Sequence, residues 1–157
     1  STQSRSSAAS DVYKRQPGGV YMYVVYWSAT GNTEAMANAV GEGIGADAKV
    51  VSVSEVSVAD VKGEDKLALG CPAMGAEVLE EEEFEPFIAE LEGCCSGKKV
   101  VLFGSYDWGD GEWMRSWKDR MEEAGAVVVE EPVICNNEPD DAGLAQCKAL
   151  GEALANA

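Results

Sequence analysis

Small polar residues fill a short segment near the start of the chain, between an apolar run and an amphipathic stretch. Directly after Tyr26-Trp27, the segment reads SATGNT, with three hydroxyls, one amide and one glycine but no Lys or Arg. Backbone N–H groups at a helix N-terminus attract an anion, polar side chains add donors, and glycine lets the backbone wrap closely. The segment therefore predicts either a phosphate cradle without formal positive charge or plain helix N-capping. Its candidate binding residues are Ser28, Ala29, Thr30, Gly31, Asn32 and Thr33.

A second candidate segment begins PAMGAEV and belongs to the polar loop over residues 72–84. Met74 is apolar and polarizable, Gly75 permits unusual backbone angles, and the carboxylate of Glu77 stands close by. Taken alone, this segment favours a surface turn followed by the solvated, acidic start of a helix. Its candidate binding residues are Pro72, Ala73, Met74, Gly75, Ala76 and Glu77.

A third segment, GSYDWGDGEW, combines three glycines with two tryptophans. Trp108 lies in the glycine-rich part, where it is poorly placed for the core but well placed to stack on a flat ligand. Trp113 lies on the helical side, so we expect it in the core. The candidate binding residues here are Ser105, Tyr106, Asp107, Trp108 and Gly109, with Asn137 added from a fourth polar loop over residues 136–141.

These loops follow short apolar segments that read as strands. The predicted strands are Met22–Trp27, Val50–Val53, Leu67–Cys71, Val100–Phe103, and a fifth region formed by Val127–Val129 with Val133–Cys135. Helical spacing covers residues 33–44, 84–91, 112–124 and 140–155. Nearly all-apolar strands alternating with helices indicate a parallel sheet covered on both faces, with ligands beyond the carboxyl ends of its strands. Glycines at positions 41, 43 and 45 predict that the first helix is short or frays early.

Composition narrows the possible partners and the organisation of the chain. Its 157 residues suit one domain, which we place over residues 22–157 after a tag-like or disordered tail over residues 1–21. With 12 basic and 28 acidic residues, the net charge of −16 argues against nucleic acid and anionic membranes as partners and favours docking on basic surfaces. The longest apolar run, Val20–Trp27, is far too short to span a membrane.

The sequence lacks the motifs and residues typical of common nucleotide sites, of acid–base catalysis and of metal sites. The first segment matches neither the G-x-x-x-x-G-K-[ST] motif of nucleoside triphosphate sites nor the G-x-G-x-x-G motif of dinucleotide sites. The chain has no histidine, the usual general base, and its five cysteines form no C-x-x-C pair. An odd number of scattered cysteines predicts a reducing compartment, the cytoplasm.

Three segments resemble the short-chain flavodoxins closely. They are YWSATGNTEAM, LGCPAMGAEVLEEEEFEPF and LFGSYDWGDGEWM, and the similarity runs from Met22 to the C-terminus. The resemblance implies a three-layer, doubly wound, five-stranded parallel sheet in the order 2-1-3-4-5, for which flavodoxin is itself a standard example. It also implies a non-enzymatic, low-potential one-electron carrier whose non-covalent FMN cycles mainly between semiquinone and hydroquinone.

The resemblance assigns the phosphate of FMN to the first segment, at Ser28, Thr30, Asn32 and Thr33. Ser105 and Asn137 correspond to family positions near the ribityl chain, although this match is less close.

The resemblance also assigns roles around the flavin ring. Met74 corresponds to the apolar residue against its inner face and Trp108 to the aromatic residue on its outer face. Glu77 corresponds to the carboxylate that accepts a hydrogen bond from the pyrimidine side. Gly75 corresponds to the glycine whose peptide turns over on reduction, in a turn that resembles type II′.

Three residues depart from the family pattern. Ala29 and Asp107 stand where glycine is usual, and Ala76 stands where a polar or acidic residue is common. Ala29 would make the phosphate loop tighter, Ala76 would shift the energetics of the turn, and Asp107 would place a charge near the flavin. If position 107 needs a positive φ, Asp adopts it at a modest cost.

Expected partners are redox proteins with basic docking surfaces, such as reductases and enzymes of the ferredoxin-dependent type. The carrier itself is expected to be a monomer. The acidic run Glu80–Glu83 is either a docking rim or a solvated helix start. An FMN-dependent quinone or azo reductase on the same fold is the main alternative. Against it, the basic residues near the loops are only Arg115 and Lys118, and Trp108 would cover the substrate face. A binding module without a redox role is a third possibility.

Overall fold

The apolar segments form one parallel sheet in the computed structural model, which describes residues 21–157. Its strands are β1 (Met22–Tyr26), β2 (Ala48–Ser52), β3 (Lys66–Gly70), β4 (Lys99–Tyr106), β5 (Val127–Val128) and β6 (Val133–Asn136). They lie in the order β2-β1-β3-β4-β5, with β6 also paired to β4, and every pair is parallel. The predicted 2-1-3-4-5 order is confirmed. The tail predicted over residues 1–21 lies outside the described residues except for Tyr21, whose ring is 6.0 Å from that of Tyr23.

The fifth sheet position is shared by two short strands. β5 pairs with the beginning of β4 at Lys99 and Val100, and β6 pairs with its end from Phe103 onward. The intervening residues include Pro132, which lacks the N–H that a continuous ladder needs. The predicted two-part fifth region is therefore confirmed, and β6 delivers its carboxyl end to the same edge as β4.

Helices cover both faces of the sheet. They are α1 (Asn32–Ile44), α2 (Val58–Val61), α3 (Phe84–Leu91), α4 (Glu112–Glu123) and α5 (Asp141–Ala155), with a 3-10 turn at Val53–Glu55. One core contains apolar residues of α3 and α4, and the other contains those of α1 and α5. Adjacent strand residues alternate between them, since Val24 belongs to the second core and Val25 to the first. The sequence analysis missed α2, although Ser57 and Asp60 form the capping box that marks its start.

The first helix contradicts the expectation that it is short or frays early. It runs to Ile44 and ends at Gly45, whose φ of +98° suits a residue without a side chain. Gly43 faces α5 so closely that a Cβ there would lie 1.9 Å from the carbonyl oxygen of Lys148. Glycine at this position permits the close helix–helix contact, and this tertiary packing outweighs its poor helix propensity.

Among residues 21–157, no helix is both long and apolar enough to cross a membrane.

Candidate functional site

The carboxyl ends of β1, β3, β4 and β6 surround a cleft of about 180 Å³. The structure brings twelve of the predicted site residues into its wall: Ser28, Ala29, Thr30, Asn32, Thr33, Pro72, Ala73, Met74, Ser105, Tyr106, Asp107 and Asn137. The other six lie around it as a helix cap, a turn and a loop: Gly31, Gly75, Ala76, Glu77, Trp108 and Gly109. The cleft occupies the topological switch point, where α/β sheets of this order bind ligands.

The first segment presents open backbone donors at the start of α1. The hydroxyl oxygen of Ser28 accepts hydrogen bonds from the N–H groups of Gly31, at 3.0 Å, and Glu34, at 3.3 Å. Gly31 is the N-cap, with a φ of +94° and no side-chain cap bond. Within the described chain, no acceptor meets the N–H groups of Asn32 and Thr33. Ser28 thus orders the segment without occupying the donors that an anion would use.

A buried hydrogen bond joins this segment to the strand at the centre of the site. The hydroxyls of Thr33 and Ser105 lie 3.1 Å apart, and both residues are buried. The loop after β6 is tied to the same strand, because the N–H of Asn137 donates to the carbonyl of Tyr106 at 2.7 Å. Asn137 has a φ of +58°, a left-handed conformation that asparagine tolerates better than most residues. These bonds hold three separate segments in one wall.

A tight turn lies beside the cleft after β3. The backbones of Met74 and Val78 exchange two hydrogen bonds, of 2.8 and 2.9 Å, and enclose Gly75, Ala76 and Glu77. Gly75 has a φ of +48°, so glycine is the residue that this position favours. Glu77 also has a positive φ, +56°, which is uncommon for a residue with a side chain. Two of the three central residues of the turn are therefore left-handed, and only Glu77 carries a steric cost for it.

The two tryptophans of the third segment differ sharply in environment. Trp108 is 58% exposed, whereas Trp113 is 2% exposed and donates its indole N–H to the carbonyl of Cys71 at 3.1 Å. The expectation that Trp113 belongs to the core is confirmed. Trp108 lies outside the core and offers a bare aromatic face near the cleft, the arrangement that a stacking role requires.

The unusual residues at positions 29 and 107 carry no backbone penalty. Among the described residues with a side chain, only Glu77 and Asn137 have a positive φ. Asp107 therefore does not need the left-handed conformation considered for it, and Ala29 does not need a glycine's backbone. What Asp107 adds to the cleft is its carboxylate.

The acidic run Glu80–Glu83 is not a uniform surface rim. Glu80 is 7% exposed, and its carboxylate accepts hydrogen bonds from the N–H groups of Glu82, Glu83 and Phe84 at 2.8–2.9 Å. Burial alone would raise the pKa of Glu80, but these three donors outweigh it and lower the pKa. Glu80 thus caps α3, a function that the sequence analysis missed, and only the remaining glutamates of the run are exposed.

The basic residues nearest the site are neutralised by neighbours. Arg115 pairs with Asp110 and Glu112, each at 3.0 Å, and Lys118 pairs with Glu122 at 3.1 Å. Neither residue contributes to the wall of the cleft. The site that the structure describes is accordingly lined by neutral and acidic side chains.

Fold and site together define the flavodoxin-like class of α/β proteins: a 2-1-3-4-5 sheet with a cleft beside the start of a helix at its switch point. A family model described as flavodoxin matches residues 24–151. The chain is 54% identical over 138 residues to the flavodoxin of Clostridium beijerinckii, covering 86% of this chain and 99% of that protein. It is 50% identical over 137 residues to the flavodoxin of Megasphaera elsdenii, covering 85% and 98%.

A solved structure agrees with these sequence relatives. The solution structure of two-electron reduced Megasphaera elsdenii flavodoxin matches with a TM-score of 0.80 at 50% identity, covering 87% of this chain and 99% of that one. The chain therefore belongs to the flavodoxin family. It is an FMN-dependent electron-transfer protein and not an enzyme, and as a redox carrier it interacts with redox partner proteins.

The residues present fit FMN. Open N–H groups and hydroxyls at the start of α1 match a phosphate, and Met74 contributes an apolar wall beside the polar one. Most of the residues that line the cleft are polar, which suits a phosphate and a ribityl chain, whereas Pro72, Ala73 and Met74 form its apolar part. Both interpretations of the first segment keep support, because the hydroxyl of Ser28 caps the N–H of Glu34 while the N–H groups of Asn32 and Thr33 stay open to an anion.

Proposed function

We propose that the carrier holds FMN in the carboxyl-edge cleft, with its phosphate at the start of α1 and its ring between Met74 and Trp108. The cation-free cradle is the observation that carries this proposal, since hydroxyls and amide dipoles bind the phosphate without placing a positive charge near the ring. When bound, FMN supplies one-electron redox chemistry. The chain's own residues bind and orient it, and Trp108 would exclude water from one face.

The roles proposed for the surrounding residues follow from their positions. Glu77 would accept a hydrogen bond from the ring, and the peptide of Gly75, a residue that adopts either sign of φ, would offer its carbonyl when the ring gains a proton. Ser105, Asn137 and Tyr106 would line the ribityl chain. Asp107 adds negative charge to the cleft wall, which disfavours a further negative charge on the cofactor.

The partners proposed for this carrier have basic docking surfaces, as reductases and enzymes of the ferredoxin-dependent type would present to an acidic protein. Support comes from the net charge of −16 and from the exposed part of the acidic run, Glu81–Glu83. Opposite charges steer encounter and raise association rates, more strongly at low salt. All five cysteines are free thiols, which suits the reducing cytoplasm. A monomeric state stays a prediction.

Incubation of the holoprotein with NADPH and a quinone separates a carrier from a reductase. We expect no direct turnover, because the described cleft has no unpaired cation for the NADPH phosphates and Arg115 is already paired. Adding a catalytic amount of an NADPH-dependent flavoprotein reductase should start reduction of the carrier, at a rate that falls as salt rises. Rapid quinone reduction without the added reductase would contradict the proposal.

A further inference from the structure

The carboxylate of Glu77 is held by the N-terminus of α4. Its Oε1 accepts a hydrogen bond from the backbone N–H of Glu112, the first residue of that helix, at 3.0 Å. The N-cap position is Gly111, which has a φ of +98° and no side chain to cap the helix. Glu77 therefore supplies from a distant loop the capping acceptor that α4 lacks.

Gly109 provides the space in which this carboxylate lies. A Cβ on Gly109 would be 2.5 Å from Cδ of Glu77 and 2.6 and 2.7 Å from its two oxygens. Real Cβ atoms essentially never approach other atoms this closely, so a side chain at position 109 would displace the carboxylate. The backbone of Glu77 is meanwhile fixed by the turn between Met74 and Val78. The carboxylate thus has one well-defined position between two loops.

We propose that Gly109 and the N–H of Glu112 are positioning elements for Glu77. They fix Oε1 and leave Oε2 to accept a hydrogen bond from the cofactor, and they couple the turn at Gly75 mechanically to the loop that carries Trp108. The inference rests on the proposed function, because it assigns to Gly109 and α4 the orientation of a ligand-facing group. It gives Gly109, already a candidate binding residue, a role through Glu77, and it adds the N–H of Glu112, which does not face the cleft.

A double-mutant cycle on FMN binding tests this coupling. Gly109→Ala should weaken FMN binding about tenfold, the usual effect of misplacing one charge-assisted hydrogen bond. Gly97→Ala is the matched control, because Gly97 also has a positive φ, +84°, but no atom lies within 4 Å of the position that a Cβ would take there. It should leave binding unchanged. In a Glu77→Ala background, Gly109→Ala should change the affinity for FMN by less than about twofold, because the carboxylate through which Gly109 acts is then absent.

A redox readout distinguishes positioning from general loosening of the fold. Each one-electron potential of the holoprotein should shift in the same direction in Gly109→Ala as in Glu77→Ala. The double variant should show no further shift. Equal, independent losses of affinity in both backgrounds would overturn the inference, as would unchanged affinity and potentials in Gly109→Ala. If the unmodified chain binds no FMN, the proposed function itself fails, and the two failures are thereby separable.

Discussion

Riboflavin is expected to bind the apoprotein at least about a thousandfold more weakly than FMN, because it lacks the phosphate. The start of α1 offers open N–H groups at Asn32 and Thr33, hydroxyls beside them, and the positive end of the helix dipole. Each charge-assisted hydrogen bond is worth roughly 1.5–3 kcal/mol, so three of them exceed the roughly 4 kcal/mol that a thousandfold ratio requires. Titration of flavin fluorescence against apoprotein measures both affinities.

Ser28→Ala is the matched variant for this comparison. The hydroxyl of Ser28 orders the segment by accepting hydrogen bonds from the N–H groups of Gly31 and Glu34. Its removal should weaken FMN binding while leaving riboflavin binding unchanged. Similar affinities for the two flavins would mean that the start of α1 is only a capped helix, and the proposed orientation of the cofactor would be wrong.

Gly151→Ala is expected to lower the free energy of unfolding by about 2–4 kcal/mol, although Gly→Ala in a helix ordinarily raises it by about 1 kcal/mol. The sign reverses because a Cβ at Gly151 would lie 2.0 Å from the carbonyl oxygen of Val40 and 3.0 Å from the N–H nitrogen of Ile44. Both are backbone atoms, so no side-chain rotation relieves the contact. Gly43→Ala makes the reciprocal contact from α1 and should behave alike.

Urea unfolding of the holoprotein at saturating FMN measures this effect. Gly63→Ala is the control, since no atom lies within 4 Å of a Cβ there and its φ is not positive. It should leave stability unchanged or raise it by less than about 1 kcal/mol. A Gly151→Ala variant as stable as the control would show that α1 and α5 are not packed as closely as described.

Patterns of hydrophobicity were sufficient to predict the sheet, because its strands are buried on both faces and read as short apolar runs. Val24 and Val25 illustrate this, since neighbours in one strand serve opposite cores. Helical spacing likewise predicted the ends of α3 and α4 within a residue. The prediction for the first helix was wrong, because the low propensity of Gly41, Gly43 and Gly45 pointed to a helix that is short or frays early. The deciding contact is with α5, more than a hundred residues away, and no local rule contains it.

The residues of the candidate site that could be predicted are those whose chemistry follows from the residue type and its position before a helix. A run of hydroxyl residues before a helix indicates hydrogen-bond donors for an anion, and the structure places Ser28, Thr30 and Thr33 in the wall of the cleft. Long-range partners were not predictable in this way. In the sequence, Glu80 is one of four consecutive acidic residues. In the structure it is buried, and its carboxylate accepts hydrogen bonds from three backbone N–H groups. The bond from Glu112 to Glu77 spans 35 positions and appears only in the folded chain.

Anaerobic redox titration of the holoprotein tests the central claim most directly. A cation-free cradle, the Asp107 carboxylate in the cleft wall and a net charge of −16 all oppose placing a second electron and its negative charge on FMN. We expect two separate one-electron steps, the second at least about 100 mV below that of free FMN, which corresponds to roughly 2.3 kcal/mol. Two steps at the potentials of free FMN would contradict the account.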